Sequence, residues 1–265
     1  MEKINWNKEW KTQGNWNREC SSKIFNFTSG CSNNCLYCYA RAMFSKWKKI
    51  DPNDWKNEKI RIRDVKKKHK KYNSIVMSPS SHDITPYNIN EYKIVLKDML
   101  DAGNKVLVVS KPRFDCVKSI CDDFQDYKSN ILMRFTIGST NNDVLKFWEP
   151  GAPLFEERLE SLKYAYENGY QTSVSSEPLL DKNTDDLLNK LEPFITESIW
   201  FGRITKLLSN LKFNGYEHNT EVQEKALNLL EWQKNDFFWI DLYNKYKDNK
   251  KVNWKGKLKE TLGII

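Results

Sequence analysis

Short apolar runs alternate along the chain with longer segments in which apolar residues recur every three or four positions. Uninterrupted runs of this length are typical of buried parallel strands, and the longer period is typical of helices that cover a sheet. The pattern predicts six strands, at residues 24–27, 74–78, 105–110, 130–137, 171–176 and 198–202. Strands that alternate with helices in this way indicate parallel βαβ units.

The helical period falls between these strands and continues after the last one. Helices are predicted at residues 39–49, 90–102, 113–124, 153–168, 184–191 and 221–247. Gly103 and Gly169 are expected to end two of them, Thr184 to cap another, and Trp239 to interrupt the last. Six βα units predict an α/β fold, a partial (β/α)6 barrel open on one side. In such barrels the chemistry lies at the carboxyl ends of the strands.

Three regions are expected from the pattern. Residues 1–22 are polar and Trp-rich without a clear period, which predicts an irregular N-terminal arm packed by its indole rings. Residues 23–205 hold the predicted barrel, and residues 206–265 are expected to form a helical C-terminal extension. The N-terminus lacks the apolar core of a signal peptide, and no apolar run approaches the roughly 20 residues of a membrane span. We therefore expect a soluble, cytoplasmic protein with no membrane contact.

Positive charge is in excess along the chain. The sequence holds 43 Lys and Arg against 35 Asp and Glu, a net charge of +8. This excess permits an anionic partner such as nucleic acid, although a codon bias toward Lys produces the same composition. The cations concentrate at residues 66–71, KKKHKK, which we call the basic strip. The strip is either a solvated face or a surface that contacts phosphates.

Three of the six cysteines lie in one loop rich in Ser, Asn and Gly, after the first predicted strand: Cys31, Cys35 and Cys38. Three thiolates this close can hold an iron–sulfur cube and leave one iron open to a substrate or cofactor, because a cube takes four ligands. Zinc competes, but a structural zinc site needs four ligands and no His lies within 30 residues of the loop. Disulfides and simple burial are the other interpretations. The remaining cysteines are interpreted as structural: Cys20, Cys116 and Cys121.

The cysteine spacing C-x3-C-x-Φ-C, with Tyr37 as the aromatic Φ, resembles the cluster motif of the radical S-adenosylmethionine (SAM) enzymes. The longer string GCSNNCLYCYAR, at residues 30–41, is similar to the spore-photoproduct-lyase-like branch and to related phage proteins. The resemblance covers residues 22–205 and implies a 4Fe–4S cluster whose open iron binds SAM. Reduction then cleaves SAM to methionine and a 5′-deoxyadenosyl radical, which abstracts hydrogen from a substrate. We expect an electron donor such as flavodoxin or ferredoxin as a partner.

The resemblance extends to polar residues at the ends of the predicted strands. Lys111, in the string VLVVSKPR, matches a lysine that approaches the SAM carboxylate. Thr136 and Ser139 match hydroxyls that contact the methionine or ribose of SAM. The other candidates for cofactor binding are Tyr37, Ser78, Ser175 and Glu177.

One departure from the family pattern concerns the substrate. Photoproduct lyases carry a cysteine near the end of the second strand that returns a hydrogen atom to the product, whereas here the segment reads IVMSPSSHD. We therefore expect another radical reaction, on a nucleobase, nucleotide or nucleic acid, or another hydrogen source such as a tyrosine. His82 and Asp83 are expected to have separate roles.

Two further interpretations of the function come from outside this family. A Ser-His-Asp hydrolase is disfavoured because no G-x-S-x-G nucleophile elbow is present. A zinc-stabilised nucleic-acid-binding protein without catalysis is the alternative from a different functional class.

Overall fold

The computed structural model describes residues 23–48 and 51–264. These ranges contain nine strands: β1 (Lys23–Ile24), β2 (Thr28–Ser29), β3 (Lys59–Ile60), β4 (Val76–Ser78), β5 (Val106–Ser110), β6 (Ile131–Thr136), β7 (Gln171–Ser176), β8 (Ser198–Phe201) and β9 (Val252–Trp254). Seven of them form one parallel sheet in the order β1, β4, β5, β6, β7, β8, β9. Strands β2 and β3 pair antiparallel in a small second sheet.

Eleven α-helices lie in the described ranges: α1 (Tyr39–Lys48), α2 (Ile62–Val65), α3 (Ile89–Asp101), α4 (Phe114–Asp123), α5 (Asn142–Trp148), α6 (Phe155–Glu167), α7 (Thr184–Leu191), α8 (Leu207–Phe213), α9 (Thr220–Gln233), α10 (Asp236–Tyr246) and α11 (Gly256–Thr261). Short 3₁₀ helices occupy Pro52–Lys56, Gln125–Asn130 and Glu192–Phe194. None of the described helices has the length and apolar character required to cross a membrane.

The two faces of the main sheet carry different side chains because neighbouring residues of a strand point to opposite faces. Val108, Met133 and Phe135 belong to the large core that the helices cover. Leu107 and Leu132 face the other side, where they form a small separate cluster with Ile75. We call this second side the inner face, since it is the concave side of the partial barrel. Residues that follow the carboxyl ends of the strands can meet above it.

The predicted fold class is confirmed. The sheet in the described residues runs from β1 at one edge to β9 at the other without closing, which is the open partial barrel that the pattern indicated. All six predicted parallel strands are present, as β1 and β4 to β8. The first is shorter than expected because the chain leaves it after Ile24 and pairs β2 with β3 instead.

Several local predictions need correction. The segment after residue 205 contributes β9, which pairs with β8, in addition to its helices. Helix α7 begins at Thr184 as expected, but the capping position is Asn183 and no side-chain hydrogen bond caps the helix. The last predicted helix is two helices, α9 and α10, and the break lies before Trp239 because Asn235 caps α10 through the N–H of Phe237. The predicted Trp-rich arm and Cys20 lie outside the described residues.

Candidate functional site

The three loop cysteines lie between β2 and α1. The loop starts at Gly30, whose φ of +89° suits glycine and whose missing side chain leaves room for the carbonyl oxygens of Trp55 and Asn57. The N–H of Cys31 donates to the carbonyl of Trp55 at 2.8 Å. Cys31 and Cys35 are buried, Cys38 is partly buried, and all three are free thiols. The loop is therefore a folded element with a fixed backbone path.

Polar side chains from distant segments hold this loop on one side. The Glu58 carboxylate accepts from the N–H of Ser32 at 2.9 Å, and its other oxygen accepts from Thr85 and Asn88. The buried Asn33 amide donates to Asp83 at 2.9 Å. These contacts tie the loop to the segment that follows β4, so the cysteines and that segment form one unit.

The other side of the loop is held by segments that follow β5 in the chain. Arg113 donates to the Asn33 side chain at 2.9 Å and to the carbonyl of Gly151 at 2.5 Å. A side chain at Gly151 would lie 2.1 Å from the carbonyl of Ser32, so only glycine permits this close approach. The Asn214 amide donates to the carbonyls of Leu36 and Cys38. The segments at Arg113, Gly151 and Asn214 thus hold the loop from this side.

The environment of the three thiols fits a set of metal-bound thiolates. Burial is the main cause that raises the pKa of Cys31, Cys35 and Cys38 above the ordinary value, and the Cys35 and Cys38 thiols further raise the pKa of Cys31. The three free thiols lie on one short loop, residues 31–38, and bound iron supplies the positive charge that their thiolates need. The donor set therefore fits an iron–sulfur cluster.

A single-ion site is not supported. In residues 23–48 and 51–264, no three His, Cys, Asp or Glu side chains come together in an arrangement that could hold one metal ion. A zinc site requires four ligands on one ion, whereas the thiolates of an iron–sulfur cube bind different irons. The zinc-stabilised alternative therefore finds no support in the described part of the chain.

A buried network of charges lies beside the cysteines. The Lys111 ammonium is 4.0 Å from the Asp83 carboxylate and 3.9 Å from the Glu149 carboxylate. Although burial alone acts to lower the pKa of Lys111, the neighbouring Cys35, Tyr37 and carboxylates raise it well above its ordinary value. Lys111 is therefore cationic in the folded protein.

Asp83 is the member of this network that lies next to Cys31. Its carboxylate accepts from the backbone N–H of Lys111 at 2.6 Å and from the Ser110 hydroxyl at 3.1 Å. The Cys31 thiol lies 3.7 Å from the same carboxylate. Burial acts to raise the pKa of Asp83, but the charge of Lys111 and these hydrogen bonds hold it below its ordinary value. The carboxylate is therefore an anion placed between the Cys31 thiol and a buried cation.

Glu149 is the second carboxylate beside the Lys111 ammonium. It is 1% exposed, and its carboxylate accepts from Arg158 at 2.5 Å and from the Tyr37 hydroxyl. The Lys111 ammonium also lies 5.8 Å from the centre of the Tyr37 ring, within the range of a cation–π contact. Tyr37 thus belongs to the cysteine loop and is joined to Lys111 directly by its ring and indirectly by its hydroxyl, through Glu149.

The other sequence candidates divide by their place on the sheet. Thr136 and Ser175 are paired in register and lie on the inner face, on the strands that follow β5. Glu177 lies past the end of β7 and forms an ion pair of 3.5 Å with Lys255. Ser78 lies on the helix-covered face with Val76, and it is fully buried. Ser139 is fully buried too, where its hydroxyl donates to Asp181 and accepts from the N–H of Asn141.

His82 and Asp83 point to different neighbours. The His82 ring packs edge-on against Phe27, with ring centres 5.0 Å apart, and its Nδ1 lies 3.1 Å from the backbone carbonyl of Asp83. Burial lowers the pKa of His82 to about 4, so the ring is neutral near pH 7. The separate roles expected for these two residues agree with this geometry. Cys116 and Cys121 lie in the main core, as expected for packing residues.

Sequence reasoning missed three residues that shape the site: Glu58, Asn33 and Glu149. Glu58 and Asn33 lie in polar loops in which Glu and Asn are common residues, so no local pattern distinguishes them. Glu149 offers a weak signal, since it is a lone carboxylate between two aromatic residues and a proline in the string FWEP. A buried carboxylate in such a segment requires a cationic partner, which here is Arg158 together with Lys111.

Comparison with known proteins agrees with this geometry. The family model described as the Radical SAM superfamily matches residues 25–192. An uncharacterized protein of Methanocaldococcus jannaschii, MJ0683, is 25% identical over 201 residues, which are 73% of this chain and 74% of that protein.

Two solved structures share the fold. One is a spore photoproduct lyase mutant with bound SAM and dinucleoside spore photoproduct (TM-score 0.51, 15% identity, 74% of this chain and 61% of that chain). The other is Streptococcus suis SuiB bound to precursor peptide SuiA (TM-score 0.51, 10% identity, 91% of this chain and 50% of that chain). This chain spans less than two thirds of the length of either.

Proposed function

Because this chain belongs to the radical SAM superfamily, its cofactors are a 4Fe–4S cluster and SAM, and we propose that Cys31, Cys35 and Cys38 hold the cluster. The observation that carries this proposal is the placement of three free thiols on one loop, with Asp83 between the Cys31 thiol and the Lys111 cation. Three thiolates leave one iron of a cube without a protein ligand. When bound, the cofactor pair supplies reductive cleavage of SAM to methionine and a 5′-deoxyadenosyl radical, which abstracts hydrogen.

Asp83 and Lys111 are the residues that we assign to the amino acid part of SAM. That part is a zwitterion, so its ammonium needs an anion and its carboxylate needs a cation. Asp83 and Lys111 offer this pair of opposite charges 4.0 Å apart, next to Cys31. Charge-assisted hydrogen bonds of this kind are about twice as strong as neutral ones.

Glu149 and Tyr37 position Lys111 in this proposal. Glu149 draws the ammonium from one side, and Arg158 neutralises the remaining charge of that carboxylate. Thr136 and Ser175 lie on the inner face, on the next strands, and we assign their hydroxyls to the ribose or methionine of SAM in a proposed cavity above that face. Glu177 is assigned to the outer part of this cavity through its contact with Lys255. Ser78 and Ser139 are assigned to packing and loop support.

The proposed substrate is a nucleobase, nucleotide or nucleic acid. The net charge of +8 and the dinucleoside bound by a protein of the same fold support this class. Photoproduct repair itself is not proposed, because residues 76–84 at the end of β4 contain no cysteine to return a hydrogen atom. Tyr37, which lies between Cys35 and Cys38, is a candidate for that role.

The basic strip is not part of the proposed cavity. The Lys70 carbonyl accepts from the side chain of Asn104, and the N–H of Tyr72, the residue after the strip, donates to the same side chain. Asn104 lies just before the amino end of β5. Asp98, near the C-terminal end of α3, fixes His69 and Lys68. The strip therefore lies at the amino edge of the sheet, opposite the cysteine loop.

Deuterium transfer tests the substrate class. The reconstituted protein is incubated anaerobically with SAM, dithionite and either deuterated deoxynucleosides and dinucleotides or deuterated peptides, and the mass of 5′-deoxyadenosine is measured. A mass increase with the nucleotide set alone supports the proposal. Transfer only from peptides contradicts the substrate class and leaves SAM cleavage intact. We also propose a one-electron donor protein as a partner, because reductive cleavage of SAM needs an electron. A reducing compartment, the cytoplasm, is proposed because the thiols must stay reduced.

A further inference from the structure

A segment beyond the predicted barrel binds the backbone of the cysteine loop. It comprises helix α8 and the turn that follows it, residues 207–216, and we call it the clamp segment. The clamp segment lies outside residues 25–192, the part of the chain that matches the family model. Its Asn214 amide donates to the carbonyl of Leu36 at 2.8 Å and to that of Cys38 at 3.0 Å. The last part of the cysteine loop is therefore held from outside the matched domain.

The Asn214 side chain acts as a donor. It is 1% exposed, and its Oδ1 atom is buried and accepts no hydrogen bond from the described residues. A buried acceptor without a partner costs free energy, and an apolar residue of similar size would carry no such cost. The two N–H groups of the amide, which bind the loop carbonyls, are therefore the part of the side chain that this position uses.

Two further residues of the clamp segment contact the same loop. Asn210 lies one helical turn before Asn214, and its amide donates to the carbonyl of Tyr37 at 3.2 Å. The Tyr216 hydroxyl lies 3.4 Å from a guanidinium nitrogen of the buried Arg41. The same nitrogen donates to the Asn34 side chain at 3.1 Å. The clamp segment thus reaches both intervals between the three cysteines.

The loop backbone that Asn214 holds leads directly into α1, whose first N–H groups lie at the Cys38 sulfur. The N–H of Arg41 donates to this sulfur at 3.4 Å. Burial raises the pKa of the Cys38 thiol, and the N–H groups of Arg41 and Ala40 act against that effect. The Cys38 carbonyl accepts from Asn214 and also from the N–H of Ala42 in the first turn of α1. Asn214 and the start of the helix therefore share one anchor point.

We propose that Asn214 is a positioning residue that raises the reduction potential of the cluster, because it keeps the N–H groups of α1 on the Cys38 sulfur. The inference rests on the proposed function, since it requires a cluster bound through Cys38. Hydrogen bonds to the ligand sulfurs are among the factors that set the potential of an iron–sulfur cluster. Reduction adds negative charge to the cluster, and N–H donors on a ligand sulfur stabilise that charge. The clamp segment therefore favours the reduced state.

The test is a redox titration of the reconstituted protein, followed by EPR. In Asn214→Ala we expect the ratio of reduced to oxidised cluster at one fixed potential to fall on the order of 10-fold, as for the loss of one hydrogen bond. For a one-electron couple this equals a midpoint that is lower by about 59 mV.

The matched control is Asn104→Ala. Asn104 is also 1% exposed, and its amide also donates to two backbone carbonyls, those of Lys70 and Met99, but at the amino edge of the sheet. Both variants lose a buried amide, so both should unfold more easily in a denaturant titration. Only Asn214→Ala should change the midpoint. An equal shift of the midpoint in Asn104→Ala would show a general effect of lower stability and would overturn the inference.

The remaining outcomes separate this inference from the proposed function. If the wild-type protein takes up no iron–sulfur cluster, the proposed function fails and the inference fails with it. If the wild-type protein holds a cluster and Asn214→Ala keeps the wild-type midpoint, the inference alone is overturned. If Asn214→Ala cannot be isolated with its iron, Asn210→Ala takes its place, because that position is only partly buried and contributes one hydrogen bond to the loop. A lower midpoint in Asn210→Ala then supports the inference, and a wild-type midpoint overturns it.

Discussion

Glu58 and Ser32 are joined by a hydrogen bond of 2.9 Å from the backbone N–H of Ser32 to the Glu58 carboxylate. Ser32 follows Cys31 directly, so this bond fixes the loop between the first two proposed ligands. The second oxygen of the same carboxylate accepts from Thr85 and Asn88, near Asp83. One side chain therefore sets the position of the cysteine loop relative to the carboxylate proposed for SAM.

Replacing Glu58 tests this link. In Glu58→Ala, three donors lose their acceptor. We expect the free energy of unfolding to fall by about 1.5–3 kcal/mol, which is the contribution of one hydrogen bond to a charged group. Iron retention after gel filtration should fall with it. Glu224→Ala, at an exposed position on α9, is the control. A Glu58→Ala protein with unchanged stability and full iron content contradicts the positioning role.

The assignment of cluster ligands predicts a clean division among the cysteines. Replacing Cys31, Cys35 or Cys38 by Ala should abolish cluster retention, because two thiolates cannot hold a cube. Cys116→Ala and Cys121→Ala, in the main core, should keep their iron, and so should Cys20→Ala. Iron content and the visible spectrum after anaerobic purification decide. Normal iron in Cys35→Ala ends the assignment.

Lys111 is expected to bind SAM without holding iron. Loss of a charge-assisted hydrogen bond of about 1.5–3 kcal/mol predicts an affinity for SAM that is on the order of 10- to 100-fold lower in Lys111→Ala. Iron content should remain, since no ligand has changed. Calorimetry measures the affinity, and Lys118→Ala, on the exposed side of α4, is the matched lysine control. Unchanged affinity in Lys111→Ala assigns this residue to charge balance alone.

The basic strip gives a prediction about nucleic acid. If the protein binds nucleic acid through this face, replacing Lys66, Lys67 and Lys70 by Gln should reduce the salt dependence of binding by up to roughly 3 units. SAM affinity should not change, because the strip lies at the opposite edge of the sheet. A titration across ionic strength with single- and double-stranded DNA and with RNA measures the slope.

The control for the strip replaces three exposed lysines elsewhere: Lys234, Lys247 and Lys250. Equal slopes in both variants show that the strip is an ordinary solvated face. Absence of binding at low salt to all three nucleic acids points to a nucleotide, a small molecule or a peptide as the substrate.

The fold was predictable because its strands are continuous apolar runs and its helices keep a clear period. Runs such as residues 105–110 and 131–136 have no alternative to burial, and the structure pairs them in parallel. Strand β9 was not predictable, because Val252–Trp254 is short and lies in a lysine-rich segment. Its place is set by pairing with β8, a contact that local sequence does not encode.

The sequence predicted those site residues whose spacing along the chain is set by their chemistry. It did not predict the residues that reach the site only through tertiary contacts. The cysteines and Lys111 follow strands that the pattern located. Ser78 was named because it ends a strand, but alternation along β4 places it on the helix-covered face with Val76. Glu58 and Glu149 act through partners 26 and 38 residues away, respectively, and no local pattern reveals such pairs.

Formation of 5′-deoxyadenosine tests the central claim most directly. The wild-type protein, reconstituted anaerobically with iron and sulfide and then supplied with SAM and dithionite, is analysed by mass spectrometry. We predict that 5′-deoxyadenosine and methionine accumulate together, and that Cys35→Ala forms neither. A wild-type protein that holds about four irons per chain, the content of one cube, yet forms no 5′-deoxyadenosine, or a Cys35→Ala variant that forms as much as wild type, contradicts the account.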